Sequence, residues 1–104
     1  MDDRRYYTYI MANKSNSVLY VGMTNDIFRR ADEHKTKRNP SSFSAQYNCS
    51  KLVYVEVFSS PYEAILREKQ IKAGSRRKKN MLIWKENPKM VDILDKLRLG
   101  QEQG

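Results

Sequence analysis

The sequence is poor in cysteine and has no long apolar run. Cys49 is the one cysteine in 104 residues, which excludes an intrachain disulfide framework and a cysteine-rich zinc site. We interpret Cys49 as a buried thiol without a chemical role, in a reducing compartment. No apolar run approaches the roughly 20 residues that span a bilayer. Because residues 1–5 also lack the pattern of a signal peptide, we expect a cytoplasmic protein with no membrane contact.

Acidic residues are few relative to basic ones. The chain has 20 lysines and arginines against 12 acidic residues, which gives a formal net charge of +8. This excess favours a polyanionic partner, because each neutralised phosphate releases counterions. Charge alone does not distinguish DNA, RNA, anionic lipid or a merely solvated basic surface. The length predicts a single domain over residues 1–104, and we expect a monomer.

Three segments have the composition of strands. Residues 6–12, 17–22 and 51–58 are rich in aromatic and β-branched side chains. Residues 13–16 have turn chemistry, so we expect the first two strands to form a hairpin. The loop predicted over residues 38–50 is long, which indicates a functional or mobile segment. Within this loop, Phe43 and Tyr47 either stack on bases or hold the loop against the domain.

Four segments have the pattern of helices. They run from about 24 to 37, over 61–73, over 76–85 and over 88–99. The residues expected to start helices are Thr24 or Asn25, Ser60 and Ser75. The residues expected to end helices are Gly74 and Gly100. The side chains expected to pack inward are Ala64, Ile65, Ile71, Met81, Leu82, Trp84, Val91, Leu94 and Leu97. The order of elements predicts an α+β fold, a small three-stranded antiparallel sheet flanked by helices.

Five residues between positions 9 and 34 have the chemistry needed to handle a phosphodiester. Tyr9 and Tyr20 lie on the two hairpin strands, and Gly22 permits either a close backbone approach or a positive φ. Arg30 and His34 are four residues apart and therefore share one helix face. A guanidinium pairs with phosphate, and an imidazole exchanges a proton near neutral pH. A phenol has a pKa near 10 and needs a nearby positive charge to act as a base.

The pattern resembles the GIY-YIG nuclease family. The chain reads Tyr7-Thr8-Tyr9 where the family has G-I-Y, and Tyr20-Val21-Gly22 where it has Y-I-G. Steps of eleven residues from Tyr9 to Tyr20, ten more to Arg30 and four more to His34 also fit the family. The resemblance covers about residues 5–83, and the small standalone bacterial members have a similar size.

The resemblance implies specific roles for the matching residues. It implies that Tyr9, Tyr20, Arg30 and His34 are catalytic, and the better-matched spacing to Arg30 favours Tyr20 as the general base. It implies that Glu68 binds a single divalent metal ion, Mg²⁺ or Mn²⁺, as the one protein carboxylate of a hydrated site. The alternative for Glu68 is an ion pair with Arg67 or Lys72 on a solvated helix face.

Three functions remain open from the sequence. The favoured one is a metal-dependent endonuclease-like domain that hydrolyses DNA rather than RNA, in repair or recombination. In this reading Arg76, Arg77, Lys78 and Lys79 contact phosphates, although such a run is also typical of a solvated helix start. The second is a catalytically inactive nucleic-acid-binding module with the same fold. The third is an adaptor within a larger repair or recombination complex, for which an uncovered Ile93 or Leu97 would be expected.

Overall fold

The computed structural model describes residues 4–36 and 47–103. The elements in this part of the chain are β1 (Tyr6–Ala12), β2 (Leu19–Thr24), α1 (Ile27–Thr36), β3 (Lys51–Phe58), α2 (Pro61–Ala73), α3 (Arg76–Trp84) and α4 (Leu94–Gln103). The predicted α+β class with a three-stranded antiparallel sheet is confirmed. Phe43 and most of the predicted 38–50 loop lie outside the described residues. Within the described residues, no helix combines the length and apolar character needed to cross a membrane.

β1 is the central strand of the sheet, whose strand order is β2-β1-β3. The predicted hairpin of β1 and β2 is confirmed, and it pairs Tyr9 with Gly22. On the other side of β1, Tyr9 pairs with Val55 of β3. The central position explains why Tyr9 is fully buried: strands cover both of its flanks and helices cover the faces of the sheet.

The two faces of the sheet pack against different helices, because successive side chains of a strand point to opposite faces. On one face, Ile10 and Tyr54 pack with Ile71 of α2 and Ile83 of α3. A hydrogen bond of 2.7 Å from the Thr8 hydroxyl to the carbonyl of Ala64 also holds α2 to β1. The opposite face packs against α1 and α4, and its buried residues are Tyr9, Met11, Ile27, Ala31, Cys49, Leu52 and Leu94. Cys49 is therefore the buried thiol that the sequence predicted.

The predicted helix starts at Ser60 and Ser75 are confirmed. The Ser60 hydroxyl accepts from the amide of Tyr62 at 3.2 Å, and the Ser75 hydroxyl accepts from the amide of Lys78 at 3.1 Å. The predicted start of α1 at Thr24 or Asn25 is wrong. Asp26 precedes the helix, and its carboxylate accepts from the amide of Arg29 at 3.1 Å, which is the usual N-cap interaction.

The predicted helix over 88–99 is also wrong in both of its ends. The Asn87 amide group donates to the carbonyls of Val53 and Val91, and its oxygen accepts from the amide of Val91. The amide of Ile93 then donates to the carbonyl of Leu52 at 2.8 Å, so this segment lies against β3. These bonds satisfy backbone groups that would otherwise propagate a helix, and α4 begins only at Leu94. Gly100 does not end α4, which continues to Gln103.

Several side chains expected in the core are on the surface. Ile65, Met81, Trp84 and Val91 are exposed, whereas Ile83 is the fully buried residue of α3. The expected burial is confirmed for Ala64, Ile71 and Leu94, and Leu82 and Leu97 are partly buried against the core. Ile93 is partly buried too, so the uncovered residues expected of an adaptor on the last helix are not found at Ile93 or Leu97.

Candidate active site

The ring of Tyr9 lies across β2 at the position of Gly22. A Cβ atom built on Gly22 would lie 2.5 Å from the Tyr9 hydroxyl oxygen and 2.6 Å from its Cζ. These distances are far below the separation of about 3.5–4.0 Å between two carbon atoms in ordinary contact. The φ angle of Gly22 is not positive, so the requirement for glycine at this position comes from the close approach of Tyr9.

His34 is in contact with both motif tyrosines. The Tyr9 hydroxyl and His34 Nε2 are 3.0 Å apart and share a hydrogen bond. The centroid of the imidazole lies 5.7 Å from that of the Tyr9 ring and 5.1 Å from that of the Tyr20 ring. Tyr9 and Tyr20 are themselves 6.3 Å apart. The hairpin and α1 therefore bring these three predicted site residues together.

Arg30 lies beside this ring cluster, one turn before His34 on α1. Its Nε donates to the Glu33 carboxylate at 3.3 Å, and Arg29 approaches the same oxygen at 3.9 Å. Glu33 was missed by the sequence reasoning, although its spacing of three residues from Arg30 is a known signal for such pairs. The Arg30 side chain as a whole is 37% exposed.

Burial keeps the phenol of Tyr9 protonated. Burial raises the pKa of Tyr9 most strongly, and the negative charge of ionised Tyr20 raises it further. The charge of Arg30 and its hydrogen bond to the hydroxyl lower this pKa in part, while the charge of Glu68 raises it. Burial lowers the pKa of Arg30, but its interactions with Tyr9 and Glu33 more than compensate, so the guanidinium remains charged.

The imidazole of His34 is neutral at neutral pH. Burial lowers its pKa below the ordinary 6.5, and the positive charge of Arg30 lowers it further, against the opposing effect of Glu33. A neutral imidazole has one nitrogen that accepts a hydrogen bond. Because Tyr9 is protonated, its hydroxyl can donate to that nitrogen, which gives a neutral pair beside a fixed positive charge.

Glu68 lies on α2, the helix that packs on the other face of the sheet. Its carboxylate affects the pKa of Tyr9, and it forms an ion pair of 3.7 Å with Lys72. Its side chain is 20% exposed, so water and a ligand have access to it. Residues 4–36 and 47–103 contain no cluster of three or more histidine, cysteine and acidic side chains. A metal ion at Glu68 would therefore take its other ligands from water and phosphate, a donor set that suits Mg²⁺.

The basic run at the start of α3 divides into two pairs. Arg76 donates to the backbone carbonyls of Asn16 and Ser17 in the hairpin turn. Lys79 donates to the carbonyl of Gly74 at 2.8 Å, at the end of α2. Both therefore hold the fold together. Arg76 is exposed like Arg77 and Lys78, but its guanidinium is engaged by the hairpin turn. The predicted contact with phosphates is physically most accessible to Arg77 and Lys78.

The two positions that depart from the G-I-Y motif have structural roles. Thr8 is buried and donates to Ala64 on α2, and Tyr7 packs against the apolar cluster between the sheet and α1. Neither side chain displaces Tyr9 from its place over Gly22. The motif positions predicted to be catalytic are thus held by a hairpin in which Tyr7 and Thr8 serve packing.

The chain is similar to several proteins of known family. The sequence model of the GIY-YIG catalytic domain matches residues 5–87. A UPF0213 protein from Syntrophus aciditrophicus is 36% identical over 85 residues, which cover 82% of this chain and 95% of the relative. A UPF0213 protein from Staphylococcus haemolyticus is 37% identical over 79 residues, or 76% of this chain and 94% of the relative.

A solved structure also matches. The solution NMR structure of a UPF0213 protein from Bacillus halodurans aligns with a TM-score of 0.51 and 31% identity. The alignment covers 80% of this chain and 86% of that protein. The sequence match extends over the hairpin, α1, β3, α2 and α3, the elements that carry the site residues. The chain therefore belongs to the GIY-YIG domain family, and its relatives are small UPF0213 proteins.

Proposed function

We propose that this protein is a nuclease that hydrolyses phosphodiesters of nucleic acid, with DNA favoured over RNA. The observation that carries the proposal is the neutral imidazole of His34 in contact with both Tyr9 and Tyr20, beside the charged Arg30. Hydrolysis of a phosphodiester needs an activated water, neutralisation of charge on the phosphoryl oxygens and assistance to the leaving oxygen. The cluster has side chains suited to the first two requirements.

The two tyrosines have different parts in the proposed reaction. Tyr9 has no exposed surface and is held protonated, so it serves as a positioning residue that orients His34. Tyr20 is only partly buried, and it lies against the same imidazole at 5.1 Å between ring centroids. Tyr20 is therefore the phenol that reaches the attacking water, and in its deprotonated form it accepts the proton of that water as the general base. His34, whose accepting nitrogen is hydrogen-bonded to Tyr9, holds the position of the two rings.

Two positive groups neutralise the charge of the phosphate in the proposed reaction. One is the guanidinium of Arg30, and the other is a metal ion bound at Glu68. The Arg30 guanidinium contacts a phosphoryl oxygen, while Glu33 holds its Nε in place. A Mg²⁺ or Mn²⁺ ion bound at Glu68 would supply further positive charge at the phosphate and at the leaving oxygen. Arg77 and Lys78 contact the flanking phosphates. We place the activity in DNA repair or recombination, where nicked or branched DNA would be the substrate. The protein would act as a monomer or within a larger complex.

The test is a cleavage assay with Mg²⁺ or Mn²⁺ on duplex, nicked, branched and single-stranded DNA. Glu68→Gln should abolish cutting, whereas Glu63→Gln, on the exposed side of the same helix, should retain it. Tyr20→Phe should reduce the rate by about 10²- to 10⁴-fold, the usual contribution of a general base. Absence of cutting on every substrate, or equal activity of Glu68→Gln and Glu63→Gln, would disprove the proposal.

A second candidate function is nucleic-acid binding without hydrolysis. The ion pair of Glu68 with Lys72 favours it, because an ammonium group already occupies part of the carboxylate that a metal would use. In that case, binding would weaken with salt and Glu68→Gln would bind nucleic acid as the unchanged protein does. Line broadening by Mn²⁺ of amide NMR signals distinguishes the two functions, since a nuclease site predicts broadening centred on Glu68.

A further inference from the structure

An exposed apolar ledge lies next to Glu68 on α2. It consists of Tyr62, whose exposed fraction is 69%, and Ile65, whose exposed fraction is 39%. Large apolar side chains grouped on a surface often mark an interaction site. The ledge is also rigidly placed, because Ser60 caps the first turn of α2 and Pro61 occupies its first position.

The spacing of the ledge aligns it with the candidate active site. Tyr62, Ile65 and Glu68 follow one another at intervals of three residues, so each is a surface neighbour of the next, and Tyr62 lies about 120° around the helix from Glu68. At a helical rise of about 1.5 Å per residue, Ile65 and Tyr62 lie about 4.5 Å and about 9 Å along the axis from Glu68. These offsets are comparable to one to three base steps of about 3.4 Å. A strand whose phosphate is at Glu68 and whose path winds around α2 would therefore place a base about two to three steps away over Tyr62.

The chemistry of the ledge fits an unpaired base rather than a paired one. In a duplex, both faces of an internal base are covered by its stacked neighbours, so a tyrosine cannot stack on it without disrupting the helix. An unpaired base has an accessible face, and proteins that bind single strands combine such aromatic platforms with basic groups. Lys69, which is exposed and seven residues after Tyr62, lies on the same side of α2 and can contact the backbone of the strand.

We propose that Tyr62, supported by Ile65, stacks on an unpaired nucleotide about two to three steps from a phosphate bound through a metal ion at Glu68, so that the substrate is nucleic acid that is single-stranded beside the site of cutting. The proposal rests on the nuclease site described above and adds the class of substrate to it. The three basic side chains of α2, Arg67, Lys69 and Lys72, outnumber its two acidic ones, and the chain carries a net charge of +8, so charge complementarity favours nucleic acid over an apolar protein partner.

The first test measures binding in Mg²⁺ to strands with a backbone that resists hydrolysis, so that the metal ion at Glu68 is kept and no cleavage occurs. Fluorescence anisotropy with a labelled single strand and with its duplex should show tighter binding of the single strand. Tyr62→Ala should weaken single-strand binding by about 5- to 100-fold, the usual effect of losing one stacked base. Tyr62→Phe should retain binding because it keeps the ring. Leu99→Ala, which removes a side chain with 57% exposure on α4, is the matched control and should have no effect.

The second test detects the stacking itself. A 2-aminopurine base, whose fluorescence falls on stacking, is moved along the single strand in the presence of the unchanged protein and of Tyr62→Ala. We expect quenching that depends on Tyr62. Equal losses of single-strand and duplex binding in Tyr62→Ala, or unchanged binding, would overturn the proposal, and unchanged binding would point to a protein partner for the ledge. Failure of the nuclease proposal would appear separately, as absent cleavage with stacking intact.

Discussion

Substitution of Gly22 by alanine provides a direct test of the site geometry. The added methyl group would lie 2.5 Å from the hydroxyl oxygen of Tyr9 and 2.6 Å from its Cζ. The ring must therefore move by about 1 Å to reach an ordinary contact distance. Because Tyr9 is fully buried, it has no open space to move into. Overpacking of this kind typically costs about 1–3 kcal/mol of unfolding free energy.

The same movement should break the hydrogen bond between Tyr9 and His34. A shift of about 1 Å takes the observed 3.0 Å separation beyond hydrogen-bonding range. Misplacement by about 1 Å is also enough to reduce an enzymatic rate by about 10²-fold. Gly22→Ala should therefore lose stability in chemical denaturation, change the NMR signal of His34 and cut nucleic acid more slowly.

Two control substitutions separate this clash from general effects of alanine. At Gly100, within α4, a Cβ would meet nothing within 4 Å, so Gly100→Ala should be neutral or stabilising by up to about 1 kcal/mol. In a Tyr9→Ala background the clash is absent, so Gly22→Ala should cost little, and the double-mutant cycle should give a coupling free energy of about 1–3 kcal/mol. The reasoning would be refuted by a Gly22→Ala protein with unchanged stability and an unchanged His34 signal.

Two further predictions concern protonation and packing. Since burial and Arg30 hold the pKa of His34 below 6.5, the unfolded chain binds a proton that the native state does not as the pH falls below 6.5. The unfolding free energy should decrease over that range and level off below the native pKa. The NMR titration of this single histidine should have its midpoint below 6.5 and move upward in Arg30→Gln; a midpoint at or above 6.5 would contradict the structure. Asn87→Ala removes three hydrogen bonds to Val53 and Val91 and should cost about 2–4 kcal/mol in denaturation. The exposed Asn25→Ala should stay within about 0.5 kcal/mol, and equal effects of the two would argue against the described segment around Asn87.

Much of the site could be predicted from the sequence, because its residues lie on two adjacent local units. Tyr9 and Tyr20 are on the strands of one hairpin, and Arg30 and His34 share one face of the helix that follows it. Strand alternation and helical periodicity place such residues by short-range geometry alone. The helix starts at Ser60 and Ser75 were predictable for the same reason, since an N-cap uses only neighbouring backbone groups. The catalytic roles of these residues stay a prediction.

The sequence alone did not determine which surfaces would be covered. Val91 fits a helical stripe, but its segment lies along β3, held by the Asn87 side chain that donates to Val53 and by the backbone hydrogen bond from Ile93 to Leu52, both between residues distant in the chain. Trp84 looks like a core residue, yet the docking of α3 buries Ile83 and leaves Trp84 47% exposed. A periodic pattern specifies that a helix has an apolar side, but the contacts of the whole fold select its orientation.

The motif spacing determined that this chain belongs with the GIY-YIG family and which side chains would form its site. Only the tertiary structure decided that the ring of Tyr9 occupies the space left by Gly22 and that Glu33 holds Arg30. The physical reason is the distance along the chain between the residues that interact. Local periodicity places residues within one element, whereas the burial and charge that set the protonation of Tyr9 and His34 arise from elements far apart in the chain.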